Sequence, residues 1–262
     1  MSYNKGEQHE HTKKIHYCWF GQNPMPEYAT EFIEGWKSLC PEYEVIKWDE
    51  SNFDINAHPY TKSAYDLGLY PFVADYVRLY VLNQCGGIYM DTDVEMIKPL
   101  DNLLTNEAFF GLEDADGIAT GLIFGSIPQQ HNISDLLQEY DNRGTNLKNG
   151  EFIRDTCVEI VTSYFLRKGF KQIDKFQMVE KCAIYPTGYF CPQRYGEWKP
   201  TITSETYTIH HYFGNWLVGD ESNRVRIYRN ARIGRQLKKI IGVNNFKNLH
   251  SIYKKIQKNN GK

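Results

Sequence analysis

Two acidic residues separated by one position, Asp91 and Asp93, are the part of this sequence with the clearest chemical use. They follow a short apolar run, Ile88–Met90, which predicts a buried strand. In an extended segment residues i and i+2 face the same side, so both carboxylates would point into one site. Like charges at that range repel one another unless a cation lies between them, and hard oxygen ligands suit Mn²⁺ or Mg²⁺. The alternative is a pair of solvated turn aspartates, because the pattern also arises by chance.

The helix predicted before these aspartates strengthens the case for a ligand site. Residues Phe72–Gln84 begin after Pro71, end at a Gly-Gly pair and are apolar on almost every side, which predicts a helix buried all round. Asp75 and Arg78 stand three residues apart on one side of this helix. Buried charges are costly unless they pair or bind a charged group, so with the two aspartates they favour a pocket for an anionic ligand. A purely structural ion pair is the alternative.

Further candidate ligands lie far downstream, at His210 and His211. Imidazole binds manganese-class ions well, so either histidine could complete the carboxylate site. Consecutive strand residues point to opposite faces, so at most one of the two is predicted to face the metal. The first predicted strand, Ile15–Phe20, adds Trp19 at a strand end, where α/β folds bind nucleotides, as a candidate platform for stacking a base. A core tryptophan is the competing interpretation.

The elements that would position these residues predict an α/β protein, because strands and helices alternate from the start of the chain. The predicted strands are 15–20, 43–48, 88–90, 108–112, 118–126 and 206–211, and the predicted helices are 27–39, 72–84, 133–140 and 152–167. Residues 49–68 are interpreted as irregular structure or short helices, and residues 182–192 as strand-like with turn residues at both ends.

Composition places the chain among soluble globular proteins. Its 262 residues are 41% hydrophobic and 24% charged, which is enough apolar material for a core. A mean hydropathy of −0.56 without a long apolar run argues against a transmembrane helix. The polar N-terminus argues against a signal peptide, so we expect a cytoplasmic protein. Six scattered cysteines without a C-x-x-C pair predict buried free thiols rather than disulfides or a zinc site.

Charge divides the chain into two parts. No acidic residue follows Glu221, whereas 12 of the 30 Lys and Arg residues lie between Arg224 and Lys262, and residues 1–222 carry a balance of −14. We therefore predict a main domain over 1–222 and a basic amphipathic helical tail over 223–262. Such a tail suggests contact with an anionic membrane surface, with a solvated surface helix as the alternative. No nucleic-acid recognition motif accompanies the charge, so nucleic acid is not expected as a partner.

Three segments resemble the glycosyltransferases that carry a D-x-D sugar-binding segment. They are I-H-Y-C-W-F-G at 15–21, A-D-Y-V-R-L-Y-V-L at 74–82 followed by G-G-I-Y-M-D-T-D at 86–93, and I-H-H-Y-F-G-N-W at 209–216. This group includes the yeast initiating α-1,6-mannosyltransferase and bacterial capsule and exopolysaccharide enzymes, with the glucosylating domains of clostridial toxins as distant relatives. Residues 184–192 look like the bacterial polysaccharide branch. The resemblance implies a GT-A-type, Rossmann-like mixed sheet with helical insertions.

The resemblance also implies a role for each matching residue. Asp93 would be the main metal ligand, and Asp91 would contact both the metal and the ribose. Tyr89 would contact the ribose or phosphate. Asp75 and Arg78 would hold the hydroxyls of the donor sugar and its phosphate side.

Residues at the two ends of the resemblance complete the implied donor site. Trp19 would stack on the base, and Trp216 would touch the β-phosphate and help to close a loop over the donor. His211 stands five residues before Trp216, which matches the spacing of the family's C-terminal metal ligand, and it is therefore preferred to His210. Asn215 departs from the family, in which Ser commonly stands at this position.

These observations predict a metal-dependent hexosyltransferase. It would move a sugar from a nucleotide-diphosphate sugar, with a UDP-sugar favoured, to a glycan or lipid-linked acceptor in capsule or exopolysaccharide synthesis, at the inner membrane face. The resemblance implies retention of configuration, and a front-face mechanism is expected because no second carboxylate can be assigned as nucleophile. Glu113, Asp114, Asp116 or the Ala119–Ile123 segment would reach the acceptor. Two alternatives are a haloacid-dehalogenase-like phosphatase with Asp91 as nucleophile and a non-catalytic glycan-binding domain of the same fold.

Overall fold

The structure of this chain is a computed structural model with a mixed α/β fold, which confirms the fold class predicted from the sequence. It describes residues 12–143, 155–193 and 199–213, the backbone of 147–148 and 151–152, and four helical residues further on, Ile233, Leu237, Ile240 and Asn245. The chain divides into two compact units, one of residues 1–192 with 201–216 and one of residues 193–200 with 217–262. The predicted domain boundary at residue 222 lies outside the described residues and stays a prediction.

The described residues contain strands and helices with the following bounds. The strands are β1 (Lys14–Cys18), β2 (Glu44–Trp48), β3 (Gly87–Tyr89), β4 (Val94–Met96), β5 (Ala108–Asp114), β6 (Gly117–Ser126), β7 (Leu147–Lys148), β8 (Glu151–Phe152), β9 (Gln177–Val179), β10 (Cys182–Tyr185) and β11 (Thr208–His210). The helices are α1 (Glu27–Leu39), α2 (Pro59–Asp66), α3 (Tyr70–Cys85), α4 (His131–Asp141), α5 (Cys157–Arg167) and α6 (Thr187–Phe190), with short 3₁₀ helices at Ile55–Ala57 and Asp101–Thr105.

Seven strands form one mixed sheet in the order β2-β1-β3-β6-β5-β10-β9. β1 is parallel to β2 and β3, and β10 is parallel to β5. β6 lies antiparallel between β3 and β5, so the carboxyl ends of β1, β3, β5 and β10 meet at one edge of the sheet. This is the edge at which α/β sheets bind ligands. β4 and β11 form a separate antiparallel ladder.

Helix α3 lies against this sheet and carries two of the charged residues singled out above. It begins with Pro71 in its first turn and ends at Gly86, whose φ of 63° lies in the left-handed region that favours glycine. Its buried residues include Asp75 and Arg78. The predicted buried charge pair is therefore confirmed, but the helix is not buried all round, because Tyr80 is 38% exposed.

Helix α1 connects the main sheet to the β4–β11 ladder. It buries Ala29, Ile33 and Trp36, which are spaced to lie on one face. The indole nitrogen of Trp36 donates to the carbonyl oxygen of Val94 over 2.9 Å. Since Val94 belongs to β4, this buried bond fixes the strand that follows the two aspartates.

Several boundaries differ from those predicted. α5 begins at Cys157 rather than at residue 152, because Thr156 and Glu159 form a reciprocal capping box that starts the helix there. Residues 182–192 form β10 and then the short helix α6, while β4 and β9 had no counterpart in the prediction. All six cysteines are free, but Cys85 and Cys157 are only partly buried, unlike the other four.

Within the described part of the chain, every helix is too short or too polar to span a bilayer.

Candidate active site

Asp91 and Asp93 lie in a turn at the ligand-binding edge of the sheet, between β3 and β4. The amide of Val94 donates to the carbonyl oxygen of Asp91, and the amide of Asp91 donates to the carbonyl oxygen of Gly121 on β6, each over 3.1 Å. The segment is thus a turn, and not the extended strand end that the sequence analysis expected. The turn nevertheless brings the carboxylates together, because ligand atoms of Asp91, Asp93 and His210 lie within 4.8 Å of one another.

The carboxylate of Asp91 is held in place from several sides. Its Oδ1 accepts hydrogen bonds from the Tyr89 hydroxyl over 2.8 Å and from Nη2 of Arg78 over 3.2 Å. The Arg78 guanidinium in turn lies 4.8 Å from the centre of the Tyr89 ring, a cation–π distance. A Cβ atom at Gly121 would lie only 2.4 Å from Oδ2 of Asp91, so this carboxylate position requires a glycine on β6.

Arg78 links helix α3 to the aspartates. Its side chain is only 4% exposed, and Nη2 lies 3.2 Å from Oδ1 of Asp75 as well as from Asp91. Nη1 reaches towards Thr120 Oγ1 at 3.5 Å and Cys157 Sγ at 3.9 Å. Burial raises the pKa of Asp75 to about 6, helped by the charge of Asp91 and opposed by that of Arg78. Arg78 is therefore a buried cation among several acids.

His210 provides the third possible ligand. Its Nε2 lies 3.0 Å from Oδ1 of Asp93, and its side chain is 12% exposed. Burial would raise the pKa of Asp93, but the charge and hydrogen bond of His210 hold that pKa below its usual value. Burial would likewise lower the pKa of His210, but Asp93 and Asp91 raise it. The two side chains therefore form a close pair, in which each favours the charged form of the other.

His211 lies on the opposite side of the strand, which corrects the choice made from its spacing to Trp216. Its Nε2 pairs with Oε2 of Glu95 at 2.8 Å, and its ring stacks on Phe32 of α1 at 5.1 Å. The register of β11 on β4 sets His210 opposite Val94. The alternation of a strand then turns His211 away from the aspartates.

Asp93 also anchors the segment that follows β11. Its carbonyl oxygen accepts from the amide of His211 over 3.0 Å, and its Oδ2 accepts from the amide of Phe213 over 3.1 Å. The rings of Phe213 and Tyr28 lie 4.3 Å apart, so α1 supports the same segment. One aspartate thus connects the D-x-D turn to the C-terminal part of the domain.

Comparison with known proteins identifies the central part of this site. Residues 26–110 match the family described as "Glycosyltransferase sugar-binding region containing DXD motif". This segment is therefore similar to a glycosyltransferase sugar-binding region. It contains α3, β3 and both aspartates, which confirms the resemblance drawn from the sequence, whereas Trp19 and His210 lie outside the sugar-binding region.

Characterised yeast proteins share part of the chain. Inositol phosphoceramide mannosyltransferase 2 of Schizosaccharomyces pombe is 31% identical over 126 residues, which cover 43% of this chain and 36% of the relative. Mannosyl phosphorylinositol ceramide synthase SUR1 of Saccharomyces cerevisiae is 28% identical over 120 residues, covering 44% of this chain and 31% of the relative. The match to this chain therefore spans about a third of the length of these relatives.

Solved glycosyltransferase structures are similar at low sequence identity. PaToxG glycosyltransferase has 15% identity and a TM-score of 0.48, over 61% of this chain and 70% of its own. A glycosyltransferase involved in glycosylation of the major capsid of PBCV-1 has 12% identity and a TM-score of 0.44, over 82% of this chain and 98% of its own. The galactosyltransferase LgtC has 12% identity and a TM-score of 0.36, over 67% and 74% of the two chains.

The two tryptophans expected at the donor have different outcomes. Trp19 is half-buried directly after β1, at the same sheet edge as the sugar-binding region, and its indole nitrogen donates to the carbonyl oxygen of Asn23 over 2.7 Å. Its role in stacking a base stays a prediction. Trp216 and Asn215 lie outside the described residues, so their predicted roles are likewise untested.

Sequence reasoning missed four residues that contribute to the site. Thr120 and Cys157 contact Arg78, Gly121 makes room for Asp91, and Tyr212 packs against His210. Thr120, Cys157 and Gly121 reach the site through contacts that are distant in sequence, whereas Tyr212 lies two residues after His210. The one available signal was the Gly-containing apolar segment at 119–123, which the sequence analysis had assigned to the acceptor.

Proposed function

We propose that this chain is a metal-dependent glycosyltransferase that transfers a sugar from a nucleotide-diphosphate donor to a glycan or lipid-linked acceptor. The observation that carries the proposal is that ligand atoms of Asp91, Asp93 and His210 lie within 4.8 Å of one another. Both aspartates belong to the segment that matches a sugar-binding region, and His210 comes from outside that segment. Retention of configuration, a place in capsule or exopolysaccharide synthesis and a UDP-sugar donor are parts of the proposal that rest on the family resemblance alone.

The side chains at this edge fit a divalent cation. Two carboxylates and one imidazole are a donor set that suits Mn²⁺ and also admits Mg²⁺. Asp91, Asp93 and His210 would hold the ion, whereas His211 would not, since it pairs with Glu95. When bound, the ion would neutralise charge on the diphosphate and so stabilise the departing nucleotide.

The residues around the cation site have separate tasks in this proposal. Tyr89 and Arg78 both donate to Oδ1 of Asp91 and so fix the carboxylate, which leaves Oδ2 as the oxygen for a ligand. Arg78 is the buried cation nearest the acids and would bind the phosphate side of the donor. Asp75, held by Arg78 and with a raised pKa, would accept hydrogen bonds from hydroxyls of the sugar.

The names of the relatives suggest which donors and acceptors to test first. Those relatives are named for transfer of mannose to an inositol phosphoceramide, a lipid that carries a phosphate. We therefore include mannose among the candidate sugars and a phospholipid or glycolipid headgroup among the candidate acceptors. UDP-sugars and GDP-sugars are the two donor groups to compare.

Thermal shift and turnover test the proposal together. The full chain is screened against UDP-, GDP- and other nucleotide sugars with and without Mn²⁺, and hydrolysis of the stabilising donor is then measured. Replacement of Asp93 by Ala should abolish Mn²⁺-dependent stabilisation and turnover while the protein still folds. The control is Asp66→Ala, which removes an exposed aspartate paired with Lys62. Near-normal, metal-dependent turnover of Asp93→Ala would refute the assignment.

The same assays separate the alternatives. A phosphatase using Asp91 as nucleophile would release inorganic phosphate from simple phosphate esters, whereas a glycosyltransferase would release free sugar and nucleoside diphosphate from the donor. A glycan-binding domain would be stabilised by ligand without any turnover. The match of residues 26–110 to a sugar-binding region favours the transferase over the phosphatase.

The basic tail is proposed to bind an anionic membrane, where lipid-linked acceptors are found. Ile233, Leu237 and Ile240 are helical, stand at positions i, i+4 and i+7, and are 47%, 42% and 78% exposed. An apolar stripe in a segment with many basic and no acidic residues is typical of helices that lie in the membrane interface.

Vesicle co-sedimentation tests this part of the proposal. The full chain should sediment with vesicles rich in phosphatidylserine and not with phosphatidylcholine vesicles. Replacing Ile240 by Glu should weaken binding severalfold. Binding that is unchanged by this substitution and by deletion of residues 225–262 would exclude the tail as the contact.

A further inference from the structure

Tyr212 is a buried residue beside His210 with an unusual backbone. Its φ of 53° lies in the left-handed region, which a tyrosine rarely adopts. Its ring packs edge-on against the imidazole of His210, with the ring centres 4.1 Å apart. Its hydroxyl lies 2.9 Å from Sγ of Cys191 and also hydrogen bonds to the carboxylate of Glu113.

The strained backbone of Tyr212 is held by contacts on both sides. A left-handed conformation is unfavourable for a non-glycine residue and persists only where surrounding contacts impose it. The preceding amide, of His211, donates to the Asp93 carbonyl oxygen, and the following amide, of Phe213, donates to Oδ2 of Asp93. The backbone turn at Tyr212 therefore positions its ring, while the amides of His211 and Phe213 on either side hydrogen bond to Asp93.

The imidazole of His210 needs such support. A histidine that binds a metal through one nitrogen usually has its ring oriented by a hydrogen bond at the other nitrogen. Among the described residues, Nδ1 of His210 is buried and has no hydrogen-bond partner. The neighbouring ring of Tyr212 can supply the missing orientation by packing, because its own position is fixed at the hydroxyl by Cys191 and Glu113.

We infer that Tyr212 is a positioning residue that sets the His210 imidazole for a divalent cation, with Glu113 and Cys191 fixing its hydroxyl. This inference rests on the proposed function, since it concerns the same cation site. It also gives Glu113 a task different from the acceptor contact expected from the sequence.

Manganese binding without donor tests the inference directly. The affinity for Mn²⁺ alone is measured from the electron paramagnetic resonance signal of the free ion, next to the thermal unfolding temperature. Tyr212→Phe keeps the ring but loses the hydroxyl, and we expect about tenfold weaker binding, whereas Tyr212→Leu should lose up to about 100-fold, the range known for groups that orient metal ligands. Cys191→Ala should weaken binding, and Cys191→Ser, which keeps a hydrogen-bonding group, should restore it.

Tyr189→Phe is the matched control. It removes another tyrosine–glutamate hydrogen bond, from Tyr189 to Glu205 over 3.0 Å, and should leave the Mn²⁺ affinity unchanged. The inference is overturned if Tyr212→Phe binds Mn²⁺ within twofold of the parent, or if it merely lowers the unfolding temperature as Tyr189→Phe does. Asp93→Ala distinguishes this failure from failure of the proposed function, because unchanged Mn²⁺ binding by that variant would remove the cation site itself.

Discussion

The contact between Gly121 and Asp91 gives the sharpest test of the site, because Gly121 has no functional group of its own. A Cβ atom at position 121 would lie 2.4 Å from Oδ2 of Asp91 and 3.2 Å from Nη1 of Arg78. An ordinary carbon–oxygen contact is about 3.3 Å or longer, so in Gly121→Ala the carboxylate must retreat by about 1 Å. Retreat is costly because Oδ1 is held by both Tyr89 and Arg78.

The expected loss follows from that displacement. A misplacement of about 1 Å in a binding or catalytic group costs on the order of 100-fold, which corresponds to about 2.7 kcal/mol. We therefore expect Gly121→Ala to bind Mn²⁺ up to about 100-fold more weakly and to lose a similar factor in kcat/KM for donor hydrolysis. Free Mn²⁺ is measured by electron paramagnetic resonance, and thermal unfolding shows whether the variant is folded.

Gly35→Ala is the matched control. Nothing lies within 4 Å of a Cβ atom at this position in α1, so the same added methyl group meets open space. It should leave Mn²⁺ affinity unchanged and raise the stability of the helix by up to about 1 kcal/mol. If a folded Gly121→Ala variant binds Mn²⁺ as tightly as the parent, either Asp91 is not a ligand or its position is not set by β6, and the reasoning fails.

Three further changes test other parts of the structure. His210→Ala should weaken Mn²⁺ binding by at least about tenfold. His211→Ala, which loses the pair with Glu95 and the stacking on Phe32 and Phe213, should change the affinity less than threefold in the same titration. The reverse order would restore the choice made from the sequence. Burial lowers the pKa of His16 to about 4, against a usual value of 6.5, so the folded protein favours the neutral ring. The free energy of unfolding therefore has its full value above pH 6.5 and decreases as the pH falls towards 4. Urea unfolding should show a free energy of unfolding about 2 kcal/mol lower at pH 5 than at pH 7.5. His16→Gln should not show this decrease. Trp36→Phe removes a 2.9 Å hydrogen bond to Val94 and part of a buried ring. It should lower the free energy of unfolding, measured by denaturant titration, by about 2 kcal/mol. An unchanged free energy of unfolding would show that α1 does not hold β4.

The local patterns of the sequence predicted the main positions of the site. Apolar spacing between Pro71 and the Gly-Gly pair predicted α3 as a buried helix, and two charges within it therefore had to meet partners. The short apolar run before Asp91 predicted a buried strand leading to the two aspartates. Both inferences depend on neighbours a few residues apart, where helix and strand periodicity act, and both agree with the structure.

The tertiary structure decided the details on which binding depends. Strand alternation predicts that only one of His210 and His211 faces the aspartates, but which one is set by the register of β11 on β4, and hence by pairing between segments more than 100 residues apart. The contact of Gly121 with Asp91 and the contact of the Cys191 thiol with the Tyr212 hydroxyl also depend on the packing of different elements. Local spacing determines which side chains share a face of one element, whereas only the packing of distant elements determines which faces meet.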